Sequence, residues 1–286
     1  MSDYETSLEE FIRLGLAEDI GEGDHTSMAC IRSTRISKAK LLVKEDGVIS
    51  GIDVARAIFK HVAPACDFEQ VIEDGSHVKP GDIAFYVTCP SRAILMAERL
   101  ALNTMQHMSG VSTMASLFAE EVEGLPVKIL DTRKTTPGMR FLEKEAVRLG
   151  GCHNYRHGLY DWIMIKDNHI DACGSIPTAI DRVNEYLKKI NKDLSITIEV
   201  RNLVELQSVL DHGGVTRIMM DNFEIPILKE AVAMVGKQFE TEASGGITLH
   251  NVRAYGETGV DFVSSGAITH SAGSLDMSLK IIMSEG

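Results

Sequence analysis

The feature that most constrains this chain is a rhythm that starts after residue 126. Short apolar segments that turn polar at their C-terminal ends, VKILDT (127–132), WIMIKD (162–167), SITIEV (195–200), RIMMDN (217–222) and DFVSSG (261–266), recur along it. Between them lie stretches with helical spacing over 176–190, 202–211, 224–236 and 249–257. A strand that is apolar on successive positions is buried on both faces. Strands of that kind alternating with amphipathic helices make parallel strands joined by crossovers. FETEAS (239–244) is too polar for the pattern and is read as a strand only from its place in the rhythm. Six or seven such units suit a closed α/β barrel better than an open sheet.

The first third follows a different plan. Helical spacing over 6–18 puts Leu8, Phe11, Ile12 and Leu16 on one face, and the loop GEGDHTS follows. Residues 36–50 and 70–89 read as short strands around Asp46-Gly47, Asp74-Gly75 and Pro80-Gly81 turns, with a helix over 53–62. A long helix over 91–123 comes next, with a break expected near Ser109-Gly110. This is a small α+β unit, and its boundary with the repeating part falls near 103–112.

The net charge of −12 speaks against a nucleic-acid binder, which needs a basic face to neutralise phosphates. The sign inverts locally. Residues 131–170 hold Arg133, Lys134, Arg140, Lys144, Arg148, Arg156 and Lys166 against five acids, a balance of +2 that leaves −14 for the rest. Such an island focuses a small anionic ligand, or it is a set of solvated helix-face charges. No apolar run approaches the roughly 20 residues of a membrane helix, so no membrane role is expected. The acidic start has no signal-peptide pattern, and five scattered cysteines form no CxxC pair. A reducing cytoplasm is the expected location.

In parallel α/β barrels the active site lies at the C-terminal ends of the strands. Those ends here read Asp131-Thr132-Arg133-Lys134, then Lys166-Asp167-Asn168-His169, Glu199 with Arg201, Asp221-Asn222, Ser244-Gly245-Gly246 and Ser265-Gly266-Ala267. Arg133 can fork onto a carboxylate, with Lys134 as a point charge beside it. Glu199 and Asp221 are hard oxygen donors suited to a Mg2+ that also touches substrate phosphates, or are helix caps. The two glycine turns let backbone N–H groups approach a phosphate, the more so with a helix N-terminus behind each. Ordinary turn chemistry also uses Gly and Ser. Lys166 alone would suit a Schiff base, but an anion clamp accounts for the whole group of cations.

At this point the chain resembles the quinolinate phosphoribosyltransferase family, also called carboxylating nicotinate-nucleotide pyrophosphorylases, almost end to end. The resemblance is carried by EDIGEGDHTS, AERLALNTMQHMSGVST, DTRKTTPGMRFLEKEAVRLGG, NYRHGLYDWIMIKDNHI, TIEV, MMDN, SGGI and SGAITHS. It implies an N-terminal α/β sandwich over 1–108, joined by 273–286, and an incomplete α/β barrel of about seven strands over 109–272. It further implies a homodimer whose active site is shared across the interface.

By the same resemblance Arg133, Lys134, Arg156 and Lys166 hold the quinolinate carboxylates and the phosphoribosyl groups. Arg99 reaches into the neighbouring subunit. Glu199 and Asp221 meet the ribose and Mg2+, and Ser244, Gly245, Gly246, Ser265, Gly266 and His270 hold the 5′-phosphate or flank it. The family's Asn-His-Arg becomes Asn154-Tyr155-Arg156 here, so Tyr155 takes a substrate-binding place with a hydroxyl tip and no cationic form. The implied reaction joins quinolinate to phosphoribosyl pyrophosphate and yields nicotinate mononucleotide, pyrophosphate and CO2 for NAD biosynthesis. Lys134, Lys166, Glu199 and Asp221 stand nearest the chemistry. Three alternatives remain at this stage: a relative of the same fold tied to molybdenum transport, a lysine-dependent barrel aldolase, and an anion-binding protein without turnover.

Overall fold

The computed structural model describes residues 3–282. By packing these divide into two compact units. The first comprises residues 3–116, 136–151 and 271–282, and the second comprises 117–135 and 152–270. The sequence expectation places the whole of 109–272 in the barrel, whereas residues 136–151 group with the first unit. Residues 1–2 and 283–286 of the expected N-terminal domain lie outside the described residues.

In chain order the elements begin with α1 (Asp3–Ile20), α2 (His25–Cys30), β1 (Ile36–Val43), β2 (Gly47–Val48) and α3 (Ile52–Val62). They continue with β3 (Asp67–Gln70), β4 (His77–Val78), β5 (Ile83–Pro90), α4 (Ser91–Glu121), β6 (Lys128–Leu130) and α5 (Arg140–Leu149). Then come β7 (Ile163–Ile165), α6 (Asp167–Cys173), α7 (Ile176–Ile190), β8 (Ile196–Val200), α8 (Leu203–His212) and β9 (Arg217–Asp221). The last are α9 (Ile225–Val235), β10 (Glu240–Ser244), α10 (Val252–Gly256), β11 (Phe262–Ser264), α11 (Ala267–His270) and β12 (Met277–Ile282).

In the first unit an antiparallel sheet runs β12-β1-β5-β3. Strand β1 buries every second residue from Ala39, which is how a sheet with one covered face reads. Phe68 stacks on Phe85 at 4.4 Å, and Phe59 of α3 meets Phe85 at 6.1 Å. Two local expectations change. The loop GEGDHTS turns into helix at His25, because the Asp24 carboxylate accepts from Ser27 N at 2.9 Å and caps α2. Helix α4 is also continuous through Gly110, where a break was expected. That glycine serves a close approach instead: a Cβ there would stand 1.6 Å from the Gly273 carbonyl oxygen.

In the second unit six parallel strands run β6-β11-β10-β9-β8-β7. A single parallel bridge between Leu130 and His153 adds a one-residue seventh strand beside β6. Among the described residues no ladder joins that edge to β7, so the barrel is incomplete, and residues 154–162 connect its two edges. Register sets Arg217 beside Thr197 and Glu240, and Met219 beside Glu199 and Glu242. Thr197, Arg217, Glu199 and Glu242 are all buried; Arg217 pairs with Glu242 and lies over the Tyr155 ring, whose hydroxyl meets Thr197, while Glu199 pairs with Lys166. FETEAS is therefore a strand despite its polarity, because Arg217 pairs with Glu240 at 2.9 Å and with Glu242 at 3.2 Å.

Candidate active site

The six strands of the second unit run parallel, so their C-terminal ends fall along one rim. Strand β7 ends at Ile165, and α6 starts two residues later. This helix is missing from the sequence expectation because seven residues are too few to display a helical period. His169 Nδ1 accepts from Lys166 N at 2.9 Å and fixes the turn that carries Lys166. Lys166 Nζ lies 3.2 Å from Glu199 Oε2, with the lysine side chain 47% exposed. A Schiff-base lysine needs a desolvated amine, and this one is half exposed and paired with a carboxylate.

Burial raises the Glu199 carboxyl above the usual carboxylate range; Lys166 pulls it back, while Asp221 and Asp167 push it further. Two acids on neighbouring strands that repel each other favour a shared cation. Among the described residues no group of three or more His, Cys, Asp or Glu is placed to hold a metal ion. Glu199 and Asp221 are hard oxygen donors of the kind that would hold a Mg2+ only together with ligands from outside the chain.

Arg133, Arg156 and Lys166 line one cavity of about 560 Å3, together with Trp162, Leu159 and Arg182. Burial, then the neighbouring charge of Arg133, pulls the Arg156 guanidinium below its ordinary range. A guanidinium held against a like charge in a cavity makes a site for an anion. Arg182 comes from α7, and the sequence offers no signal for it, since an arginine on the polar face of an amphipathic helix looks like any solvated charge.

The two glycine turns lie at the ends of β10 and β11. Gly245 has φ +93°, and a Cβ there would stand 2.3 Å from Asn222 Oδ1. Asn222 is itself left-handed at φ 56°, and its amide donates to Asp221 Oδ2 at 2.6 Å. A Cβ on Gly266 would meet Lys134 Cδ at 2.8 Å and His270 Cδ2 at 3.0 Å, so glycine lets those two side chains draw in. Thr269 Oγ1 donates to the Lys134 carbonyl at 2.8 Å and ties the turn to the lysine's backbone. Ser265 is buried, with its hydroxyl donating to the Ile247 carbonyl at 2.8 Å. The expected helix behind each turn is only partly there: α10 begins six residues after Gly246, and α11 has four residues. Phosphate binding at these turns would rest on backbone N–H groups more than on a helix dipole.

Other expected residues stand elsewhere. Arg201 is taken up by Glu205 at 2.6 Å and Asp171 at 3.2 Å. Arg140, Lys144 and Arg148 lie on α5 in the first unit, Arg148 pairing with Glu145 at 2.5 Å, so only four members of the cationic stretch belong to this rim. Arg99 lies on α4 in the first unit, its side chain 56% exposed and 3.9 Å from Glu98. Tyr155, expected among the substrate-binding residues, has its hydroxyl 2.7 Å from Thr197 Oγ1.

Comparison with known proteins agrees with this geometry. Residues 24–109 match the model of the quinolinate phosphoribosyl transferase N-terminal domain, and residues 111–280 match that of its C-terminal domain. The nicotinate-nucleotide pyrophosphorylase [carboxylating], chloroplastic, of Arabidopsis thaliana is 44% identical over 96% of this chain and 82% of its own length. The quinolinate phosphoribosyltransferase [decarboxylating] 1 of Nicotiana glauca is 43% identical over the same shares. The crystal structure of NadC from Streptococcus pyogenes superposes with a TM-score of 0.92 at 32% identity, covering 99% of each chain.

Proposed function

The chain belongs to the quinolinate phosphoribosyltransferase family, and we infer from its rim of charges that it transfers a phosphoribosyl group to quinolinate with decarboxylation, a step of NAD biosynthesis. The observation that carries this reading is the pair Arg133 and Arg156, which share a cavity with Lys166, the charge of Arg133 disfavouring that of Arg156. A ring bearing two adjacent carboxylates satisfies such a set, with one forked pair per arginine and Lys166 as a further point charge.

Each group then has a task. Arg133, Arg156 and Lys166 orient the pyridine so that its nitrogen faces C1 of the ribose. Ser244, Gly245, Gly246, Ser265, Gly266 and His270 receive the 5′-phosphate, and Lys134 stands beside Gly266 to meet phosphate charge. The nitrogen lone pair forms the N–C1 bond as the C1–O bond breaks, and pyrophosphate departs with that electron pair. The carboxylate next to the ring nitrogen is then lost as CO2; its bonding electrons are accepted through the cationic nitrogen, and the ring carbon takes a proton from solvent. Glu199 and Asp221 would hold the ribose hydroxyls and Mg2+, and the ion would neutralise charge on the departing pyrophosphate. No protein nucleophile is required, so Lys166 serves as a charge.

The working form is proposed to be a homodimer with Arg99 completing the neighbouring site, a reading that rests on the family resemblance. Five free cysteines support a reducing cytoplasm. No described helix is long and apolar enough to cross a membrane. The test is to supply the protein with quinolinate, phosphoribosyl pyrophosphate and Mg2+. Nicotinate mononucleotide and CO2 should appear in equal amounts and cease with excess EDTA. Full turnover in EDTA removes the metal from the scheme, and absence of product removes the function.

A further inference from the structure

We propose that Tyr155 is a positioning residue that fixes Arg156 from inside the barrel, without touching the pyridine. The proposal rests on the cavity being the quinolinate site.

Residues 155–162 bridge the opening between the two edges of the barrel, and both ends of this segment are tied to a single hydroxyl. Tyr155 Oη lies 2.7 Å from Thr197 Oγ1, and Trp162 Nε1 donates to the same oxygen at 2.8 Å. Thr197 is fully buried on β8, the strand next to β7. The two rings meet edge to face at 5.7 Å, and the Arg217 guanidinium stands 5.1 Å from the Tyr155 ring and 5.2 Å from that of Trp162. The main chain of Tyr155 is held as well, its N–H donating to the buried Asp131 carboxylate at 2.8 Å. Asp161 closes the segment by accepting from His157 N at 2.6 Å and Gly158 N at 2.9 Å.

Arg156 sits on this staple with little hold of its own. Its Nη1 reaches the Trp162 carbonyl at 3.4 Å, a long bond, while the charge of Arg133 opposes it. Its place is therefore set by its chain neighbour Tyr155 and by Trp162, and Thr197 anchors both. Arg156 and Trp162 line the cavity, whereas Tyr155 is not among its lining residues. Burial and the charge of Glu242 push the phenol's pKa far up, so its hydroxyl stays protonated and available to the anchor.

Trp162 is the chain's one tryptophan and reports directly on the cavity. The experiment titrates the whole protein with quinolinate, reads Trp162 fluorescence, and follows melting temperature in parallel. Tyr155→Phe should weaken binding about five-fold, the scale of one lost neutral hydrogen bond, and Thr197→Val, which removes the bonds to both Tyr155 and Trp162, should weaken it further. The double variant should be less weakened than the product of the two, because they cut one anchor. In an Arg156→Lys background Tyr155→Phe should leave quinolinate affinity unchanged while still lowering the melting temperature. In turnover the loss should appear in KM for quinolinate and leave KM for the donor unmoved. A tyrosine in contact with substrate would behave otherwise: Tyr155→Phe would still weaken binding in the Arg156→Lys background. That result overturns the proposal, as does a Tyr155→Phe protein that binds like wild type. A wild-type protein that gives no quinolinate response overturns the reading of the site and this proposal with it.

Discussion

Arg217, buried at the start of β9, and Arg156, half-buried at the rim of the cavity, keep opposite company. Burial pulls Arg217 down, but Glu242, Tyr155 and Glu240 outweigh it, so its guanidinium holds its proton more tightly than usual. It also lies 3.7 Å from the centre of the Phe262 ring, with two further rings nearby. Arg156 is pulled down by burial and pulled down again by Arg133. One arginine is satisfied by the fold, and the other keeps a single long bond, to the Trp162 carbonyl at 3.4 Å, beside a like charge. A buried charge marks structure where its partner is internal and marks a site where it faces a like charge across a cavity.

The comparison breaks first at Arg217. Arg217→Met keeps the apolar stem and strands Glu242 in a fully buried place, at a cost of about 3–5 kcal/mol. Burial already raises the Glu242 carboxyl, and losing Arg217 raises it further. A raised carboxyl contributes stability below its unfolded pKa and loses it as pH climbs through the folded one. The melting deficit of the variant should therefore shrink at acid pH and widen toward neutral, and an equal deficit across pH would contradict this assignment.

Arg156→Ala should do the reverse. It should lower kcat/KM for quinolinate by about two orders of magnitude, the scale of a charge-assisted pair to substrate, and leave the melting temperature close to wild type or above it. Gly245→Ala sharpens the picture at the other side of the rim. A left-handed alanine pressed onto Asn222 costs about 1–3 kcal/mol locally, so KM for the phosphoribosyl donor should rise while quinolinate binding holds. The smallest effect belongs to Arg148, an exposed member of the same cationic stretch on α5. Arg148→Ala should shift stability by about 0–1 kcal/mol and alter neither KM.

The sequence disclosed the outer layer of this molecule better than its interior. Helix α7 stands at the residues its period predicts, 176–190, because a fifteen-residue helix shows its apolar stripe. The strand ends were legible for a related reason: a largely apolar segment has to stop, and it stops on polar residues at the strand's C-terminal end. The interior layer was not legible. Thr197, Arg217 and Glu242 come from three strands, and each looks like noise in its own segment until register brings them together. The setting of Tyr155 was hidden for the same reason, since Thr197, which its hydroxyl meets, is 42 residues away. Gly110 looked like a helix breaker because the carbonyl it makes room for belongs to Gly273, far along the chain.

The most direct test of the account compares initial rates on quinolinate and on nicotinate, with saturating phosphoribosyl pyrophosphate and Mg2+. The two pyridines differ by the one carboxylate that the Arg133 and Arg156 pair is held to require. The account predicts turnover of quinolinate and a rate on nicotinate lower by about 10^4 or more, since a site built for a group it fails to find leaves its own charges unpaired. Comparable rates on the two would contradict it.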